Sequence, residues 1–469
     1  MSETTGSRSP IRVETRSIDW IPTNERHGKP WHQGPFWFSS GFTIVGLSVG
    51  FIGPSLGLGL WWSLAADALG MAVGTIFMAL HASQGPKLGM PQMLQSRAQF
   101  GVQGAIFPIG TAIFVYIGYN VFSLILAKDI VGTVMPGGDW IYVVTAIVAF
   151  LVATFGYDLL HVVERWLSYI VVPIFVAFTV CVIVFVHGRA AVESTGGAHW
   201  APMLIQFAAA CAYQISGAVY VSDYSRYLPE NTPSWKVVVP TYIGSGAATI
   251  WMGSLGVVLA SFIASPDPVT SVQVAGNKII PQFGEVTLFI SLLLIVAVMA
   301  ENCYGAMLCG TSIIDGFHRI DRSTRVRIAG ITVASAIGLG LTYAMPATFL
   351  NDLNTFLSLL VYSLVPWSVI NLVDFYLVRR GSYSIADFFN PHGSYGKWAW
   401  RGVLAYFIGF AAMVPFFDLS FYHGPVNTAL HGADLSFVVG LLVTGVLYYV
   451  LATRRERVTA AASYMADIT

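Results

Sequence analysis

Charge is what this sequence has least of. Only 10% of its 469 residues are Asp, Glu, Lys or Arg, against about 25% in an ordinary soluble domain. The 24 basic and 24 acidic residues cancel, so no positive excess points to nucleic acid as a partner. Cysteine is scarce as well. Cys181, Cys211, Cys303 and Cys309 all lie in apolar runs. Their spacing suits no metal site, and they read as small buried apolar side chains. The ten histidines are scattered, with no HExxH, so neither a metal nor a cofactor is expected. No phosphate loop and no paired nucleophile and base is found, which argues against an enzyme. The polar opening MSETTGSRSP has no apolar core before Trp31, so no signal peptide is read there.

What fills the chain instead is long hydrophobic runs. Hydrophobic residues make up 55% of it, and a membrane span needs roughly 20 in succession. Twelve candidate spans follow: 35–60, 61–81, 104–134, 140–157, 166–188, 201–221, 237–264, 285–314, 327–345, 350–378, 399–417 and 435–452. Backbone groups in lipid must satisfy one another, which favours helices. No ten-residue alternation suggests a barrel. The expected class is an all-α polytopic membrane protein, multi-pass in the plasma (inner) membrane, with the lipid bilayer as its surroundings.

Charge placement gives an orientation. With a cytoplasmic N-terminus and alternating spans, 21 of the 24 Lys and Arg residues fall on inner segments. Only Lys128, Arg189 and Lys278 fall outside. The positive-inside rule then holds with both termini cytoplasmic. Residues 1–33 and 454–469 are read as cytoplasmic tails, the first lying along the membrane.

Two spans are interrupted. The first, GFTIVGLSVGFIGPSLGLGL, carries Gly41, Gly46, Gly50, Gly53, Gly57, Gly59 and Pro54. Glycine costs a helix about 1 kcal/mol relative to alanine and proline about 3. The set around Pro54 is expected to break the helix, although close packing through small residues would use the same glycines. The sixth span, CAYQISGAVYVSDYSRYLP, is interrupted at Gln214, Ser216 and Gly217 and closes with Asp223 and Arg226. The two broken spans are five apart in order, the first and the sixth. That spacing suits two inverted five-helix repeats, about 34–190 and 200–380 within a core of 34–397, followed by two more helices in 398–453. Broken spans with isolated polar residues favour a transporter over a channel.

In the third span, FVYIGYNVFS, Tyr116 and Asn120 are four apart and share a helix face. An aromatic beside an amide suits a planar, hydrogen-bonding solute. An amino-acid carrier would need groups for a carboxylate and an ammonium, which Tyr116, Asn120 and Gln214 do not supply.

The eighth span holds AVMAENCYG, residues 297–305. An ionisable residue in mid-span is expensive and usually marks an ion path. Glu301 therefore has three readings: a proton carrier, a Na⁺ ligand together with first-span carbonyls, or a structural hydrogen-bonding group. Asp67 reads as a snorkelling or helix-pairing acid, and Asp374 as interfacial beside Arg379 and Arg380.

Several stretches resemble a known family. GPKLGMPQMLQSRAQFG (85–101), DYSRYLP (223–229), NCYGAMLCG (302–310) and YLVRRGSYSIADFF (376–389) are similar to the purine–cytosine permease branch of the nucleobase–cation symporter family 1. VETRSIDWIPTNERHG (13–28) and GSYGKWAWRGVLAYFIG (393–409) fit as well. The resemblance implies about 12 transmembrane helices in a LeuT-type 5+5 inverted repeat plus two C-terminal helices. It implies a symporter of a nucleobase, purine or cytosine class, driven by H⁺ or Na⁺ and working as a monomer. Another heterocycle or solute, such as an allantoin-like ureide, a vitamin or an amino acid, is the alternative. Carried over by motif, the substrate residues are Ser48, Tyr116, Asn120, Tyr213, Gln214, Ser216 and Asn302, with Tyr116 stacking on the ring. The coupling positions are Gly46, Ala297, Ala300 and Glu301. Sodium-coupled relatives have Ser or Thr on the eighth span where this chain has Ala297, Ala300 and Glu301. That departure favours H⁺ as the coupling ion, with Na⁺ near Glu301 as the alternative.

Overall fold

The structure, a computed structural model, describes residues 17–155, 157–189, 191, 199–263, 265, 267–321, 323–345 and 352–466. For 157–161, 163–165 and 454–466 it describes the backbone alone. Arg8, Arg12, Arg16 and Arg322 lie outside the described residues, as do the side chains of Arg165, Arg454, Arg455 and Arg457.

The first expected span is two helices, α1 (Gln33–Ser40) and α2 (Ile44–Val49). The stretch Pro30–Ser40 meets Ile44–Ser55 at a bend of 64°. The break therefore falls at Gly41–Thr43, before the glycines around Pro54 that were expected to cause it. Thr43 leaves the helical conformation, and its hydroxyl accepts from the Gly46 N–H at 3.1 Å, capping α2. Most of the later glycines pack. A side chain at Gly50 would strike the Gly253 carbonyl, and one at Gly53 would sit 3.0 Å from the Ser63 hydroxyl. In lipid, helices associate through such close backbone approach because apolar burial offers no net drive. Gly57, at φ 78°, makes the turn into the next helix.

The chain continues through α3 (Leu60–Ala82), α4 (Ile106–Gly132), α5 (Trp140–Phe155), α6 (Tyr157–Val186) and α7 (Trp200–Ser216). Then come α8 (Val221–Ser225), α9 (Trp235–Phe262), α10 (Pro268–Asn277) and α11 (Phe283–Phe317). The last are α12 (Thr324–Ala344), α13 (Leu353–Val373), α14 (Trp400–Met413) and α15 (Ser436–Ala466). Among the described residues nine helices are long and apolar enough to cross a membrane, and the bent pair is a tenth candidate. The shorter apolar helices Trp140–Phe155 and Trp400–Phe416 stand where the other two spans were expected. A two-residue hairpin, Asp418–Leu419 with Tyr422–His423, is the strand found among the described residues.

The broken elements sit at the centre. α3 packs on α7 and α9, α11 packs on α4, and α1 lies against α9. Large apolar side chains such as Leu69, Ile147, Ile183 and Ile243 point outward, as a lipid-facing surface requires. Helix α10 was not expected. Its signals were present: Asp267 caps it by accepting from the Val269 and Thr270 N–H groups, and Pro268 opens it.

Three further readings concern buried groups. Residues 17–28 pack on the bundle: Ile18 and Ile21 are buried, and the Ile21 N–H donates to the Gly89 carbonyl at 2.9 Å. Asp374 is beside Arg379, as read, and is buried in the protein, accepting from Gln99, Arg379, Tyr383 and Tyr448. Of the two readings of Asp67 the structure shows helix pairing: it is fully buried and accepts from Gln206 Nε2 at 3.0 Å, joining α3 to α7. The family-like motifs are also structural locks. The Gln92 N–H donates to Asp223 Oδ1 at 2.7 Å, and Arg97 donates to the Ser312 carbonyl at 2.6 Å.

Candidate functional site

The two interrupted spans meet. After α7 the chain makes one 3₁₀ turn, Gly217–Val219, and leaves helical geometry at Tyr220 (φ −132°, ψ −4°) before α8 begins. The Thr43 hydroxyl lies 2.9 Å from the Tyr213 hydroxyl, which joins the first break to α7. The Trp37 and Tyr220 rings are 5.7 Å apart, which joins α1 to the second break. Between these contacts lies a cavity of about 50 Å³. That is room for no more than a few waters. A planar heterocycle needs more room, so binding requires these walls to separate.

Tyr213, Gln214, Ser216 and Asn302 line the cavity. Tyr119 faces Tyr213 edge-on at 6.1 Å, and its hydroxyl is 3.0 Å from that of Ser216. Trp37, Ser40, Thr43, Tyr220, Ser245 and Thr249 complete much of the polar and aromatic wall. The chemistry is neutral: hydroxyls, amides and ring faces, suited to an uncharged planar solute. Gln214 already spends its amide on helix pairing. Its Nε2 donates to Thr75 Oγ1 and, at 3.1 Å, to Ser245 Oγ.

The other expected substrate residues stand apart from the lining. Tyr116 is buried behind it, with its hydroxyl donating to the Val219 carbonyl at 3.3 Å. Its ring crosses Gly305, where a side chain would come within 2.5 Å of it. Asn120 accepts from Asn302 Nδ2 at 3.0 Å and donates to Cys303 Sγ at 3.3 Å, tying α4 to α11. Ser48 donates to the Ile44 carbonyl of its own helix. Tyr119, three residues after Tyr116 on the same helix, was not singled out from the sequence. Its hydroxyl, beside that of Ser216 at the end of α7, puts Tyr119 at the cavity. Trp37 and Ser40 lie in the run before the first break, and the position of that break was the missing signal.

Glu301 is buried just behind the cavity wall. Its Oε2 accepts from the Ser40 hydroxyl at 3.2 Å, and Ser40 itself lines the cavity. Ala297 and Ala300 are buried on the same helix and offer no side-chain oxygen. Gly46 backs onto the Tyr213 hydroxyl, which would lie 3.1 Å from a side chain there. Among the described residues no group of three or more His, Cys, Asp or Glu is arranged to hold a metal ion.

Residues 20–440 match the family described as permease for cytosine/purines, uracil, thiamine, allantoin. The chain belongs to this family. It is a multi-pass membrane transporter and not an enzyme. The permease is 37% identical over 451 residues to YxlA of Bacillus subtilis (strain 168), whose name places it among the purine-cytosine permeases; the match covers 95% of this chain and 97% of that one. It is 23% identical to the purine-cytosine permease fcyB of Emericella nidulans, covering 94% of this chain and 88% of that one. Its fold matches Mhp1, a nucleobase-cation-symport-1 family transporter solved in a closed conformation with bromovinylhydantoin bound. The TM-score is 0.74 at 18% identity, with 95% of each chain covered. The permease thus has the LeuT-type fold expected of it.

Proposed function

We propose that this permease is a secondary active importer of a nucleobase, purine or cytosine class, coupled to protons through Glu301. It works by alternating access as a monomer in the plasma membrane, with both termini cytoplasmic. The observation that carries the reading is the contact of Ser40 with Glu301 at 3.2 Å. One hydroxyl at the first break lines the cavity and also donates to the Glu301 carboxylate behind it. A carboxylate buried in mid-span is costly while charged. Protonation removes that charge and lets the walls close around the substrate. Ala297 and Ala300 supply no hydroxyl that would favour Na⁺. The purine–cytosine names of the relatives support the substrate class, as does the neutral, aromatic and amide-lined cavity.

The test is uptake into proteoliposomes with each gradient applied alone, across a panel of nucleobases. Accumulation of a purine or cytosine under an acidic-outside gradient without Na⁺ is expected. Accumulation that needs Na⁺ and ignores pH would overturn the proton reading. Selective uptake of allantoin, thiamine or a hydantoin in place of a nucleobase would overturn the substrate class.

A further inference from the structure

A second space, about 1030 Å³, opens at the end of the bundle that carries Arg379, Arg380, Lys397 and Arg401, well away from the central cavity. It lies between the turn at Ala98–Gln99, the end of α13, residues 393–399, the start of α14 and the side of α15. Neither coupling nor substrate recognition uses it.

Its floor is polar and its rim apolar. On the floor, Arg379 pairs with Asp374 through Nε at 3.1 Å, so that charge is balanced. Arg401 lines the same cleft, is exposed, and makes no hydrogen bond or ion pair among the described residues. One cation is therefore left over. No side chain caps the start of α14, which lies at the same floor.

The rim continues into the lipid-facing surface. Trp400 stacks on Trp398 at 5.7 Å and is itself exposed. Leu404, Phe407 and Ile408 follow on α14 as exposed apolar side chains. A ligand seated here meets one spare positive charge and an apolar track leading away along the helix.

We propose that this cleft binds an anionic phospholipid. Its phosphodiester sits at Arg401, and its chains run along Leu404, Phe407 and Ile408. Basic recesses between spans recognise lipid headgroups by this charge pairing. The apolar track selects a lipid over a free phosphate, and the unbalanced charge of Arg401 selects an anionic headgroup over a zwitterionic one. A lipid held here joins α14 and α15 to the Asp374 cluster at the end of α13.

The experiment is native mass spectrometry of the purified, delipidated full chain. It is titrated with phosphatidylglycerol, with phosphatidylcholine of the same chains, and with glycerol phosphate as the chain-free headgroup. Phosphatidylglycerol is expected to be retained preferentially. Arg401→Gln should weaken its retention about fivefold, the effect of one interfacial charge. Lys236→Gln, at an exposed lysine beside Trp235 and away from the cleft, should leave it unchanged. Trp400→Ala is the second variant and should also lower retention. Equal binding of the two lipids, equal losses in Arg401→Gln and Lys236→Gln, or glycerol phosphate binding as tightly as the lipid would each overturn the proposal.

Discussion

Ser40 and Glu301 are 261 residues apart in sequence and 3.2 Å apart in the structure. The hydroxyl closes the last turn before the first break, and the carboxylate sits in the middle of α11. Any movement of α1 away from α11 must break this bond. The pair therefore links the opening of the cavity to the state of the carboxylate. Ser40→Ala is expected to depress concentrative uptake more than substrate affinity. Parallel uptake and thermal-shift binding assays check this, and wild-type accumulation by Ser40→Ala would sink the link.

Glu301→Gln mimics the protonated acid and can keep a hydrogen bond to Ser40. It should fold, bind substrate and exchange it, yet fail to accumulate it against a gradient. Asp67→Asn is the matched control, since Asp67 pairs α3 with α7 and does not line the cavity. Coupling should survive Asp67→Asn. If that variant loses coupling while Glu301→Gln keeps it, the carrier group has been misassigned.

Two tyrosines on α4 should separate recognition from scaffold. Tyr119 lines the cavity, so Tyr119→Ala should weaken base binding by about 1–3 kcal/mol, the range for base–aromatic stacking. Tyr116→Phe loses only its bond to the Val219 carbonyl. It should cost about 1 kcal/mol of stability and leave the ranking of nucleobases unchanged. Isothermal titration of both variants decides. A changed ranking in Tyr116→Phe would place that hydroxyl at the substrate.

Gln214 serves two neighbours at once, Thr75 and Ser245. Gln214→Ala should lower the unfolding midpoint in detergent, by about 1–3 kcal/mol for bonds lost in a buried network. Direct edge contact with the substrate would add a change in nucleobase ranking. Unaltered stability would show that the helix-pairing bonds carry little.

Gly50 is pressed against the backbone at Gly253, whereas nothing lies within 4 Å of the position a side chain would take at Gly310. Gly50→Ala should therefore reduce the yield of folded protein sharply, and Gly310→Ala should be tolerated. Size-exclusion profiles of the two variants test the packing role of the first-span glycines.

Much of the fold was legible in the sequence because lipid imposes a one-dimensional rule. A run of apolar residues long enough to cross must be a helix, and its flanking charges give a direction. That rule located the long helices from α3 to α15, though not α10, and marked Glu301 as anomalous in its span. The cap at Thr43 and the Asp267–Pro268 start were also present as local signals, though neither was read. The site was less legible. Tyr213, Gln214, Ser216 and Asn302, read as substrate residues, line the cavity, but the same reasoning chose Tyr116 where Tyr119 lines it and did not anticipate Trp37 and Ser40.

The sequence by itself determined that the chain is helical, crosses a membrane repeatedly, and carries one carboxylate in the middle of its eighth apolar run. These are properties of composition and spacing, and they need no partner. Only the tertiary structure decided which glycines break a helix and which let two backbones touch, because a small residue permits either. It also decided that the Gln214 amide is spent on Thr75 and Ser245, and that Asp374 is the hub of a buried cluster. A polar side chain in an apolar run must find a partner. Which partner it finds depends on the tilt and rotation of helices set by packing against their neighbours, and no local pattern records those angles.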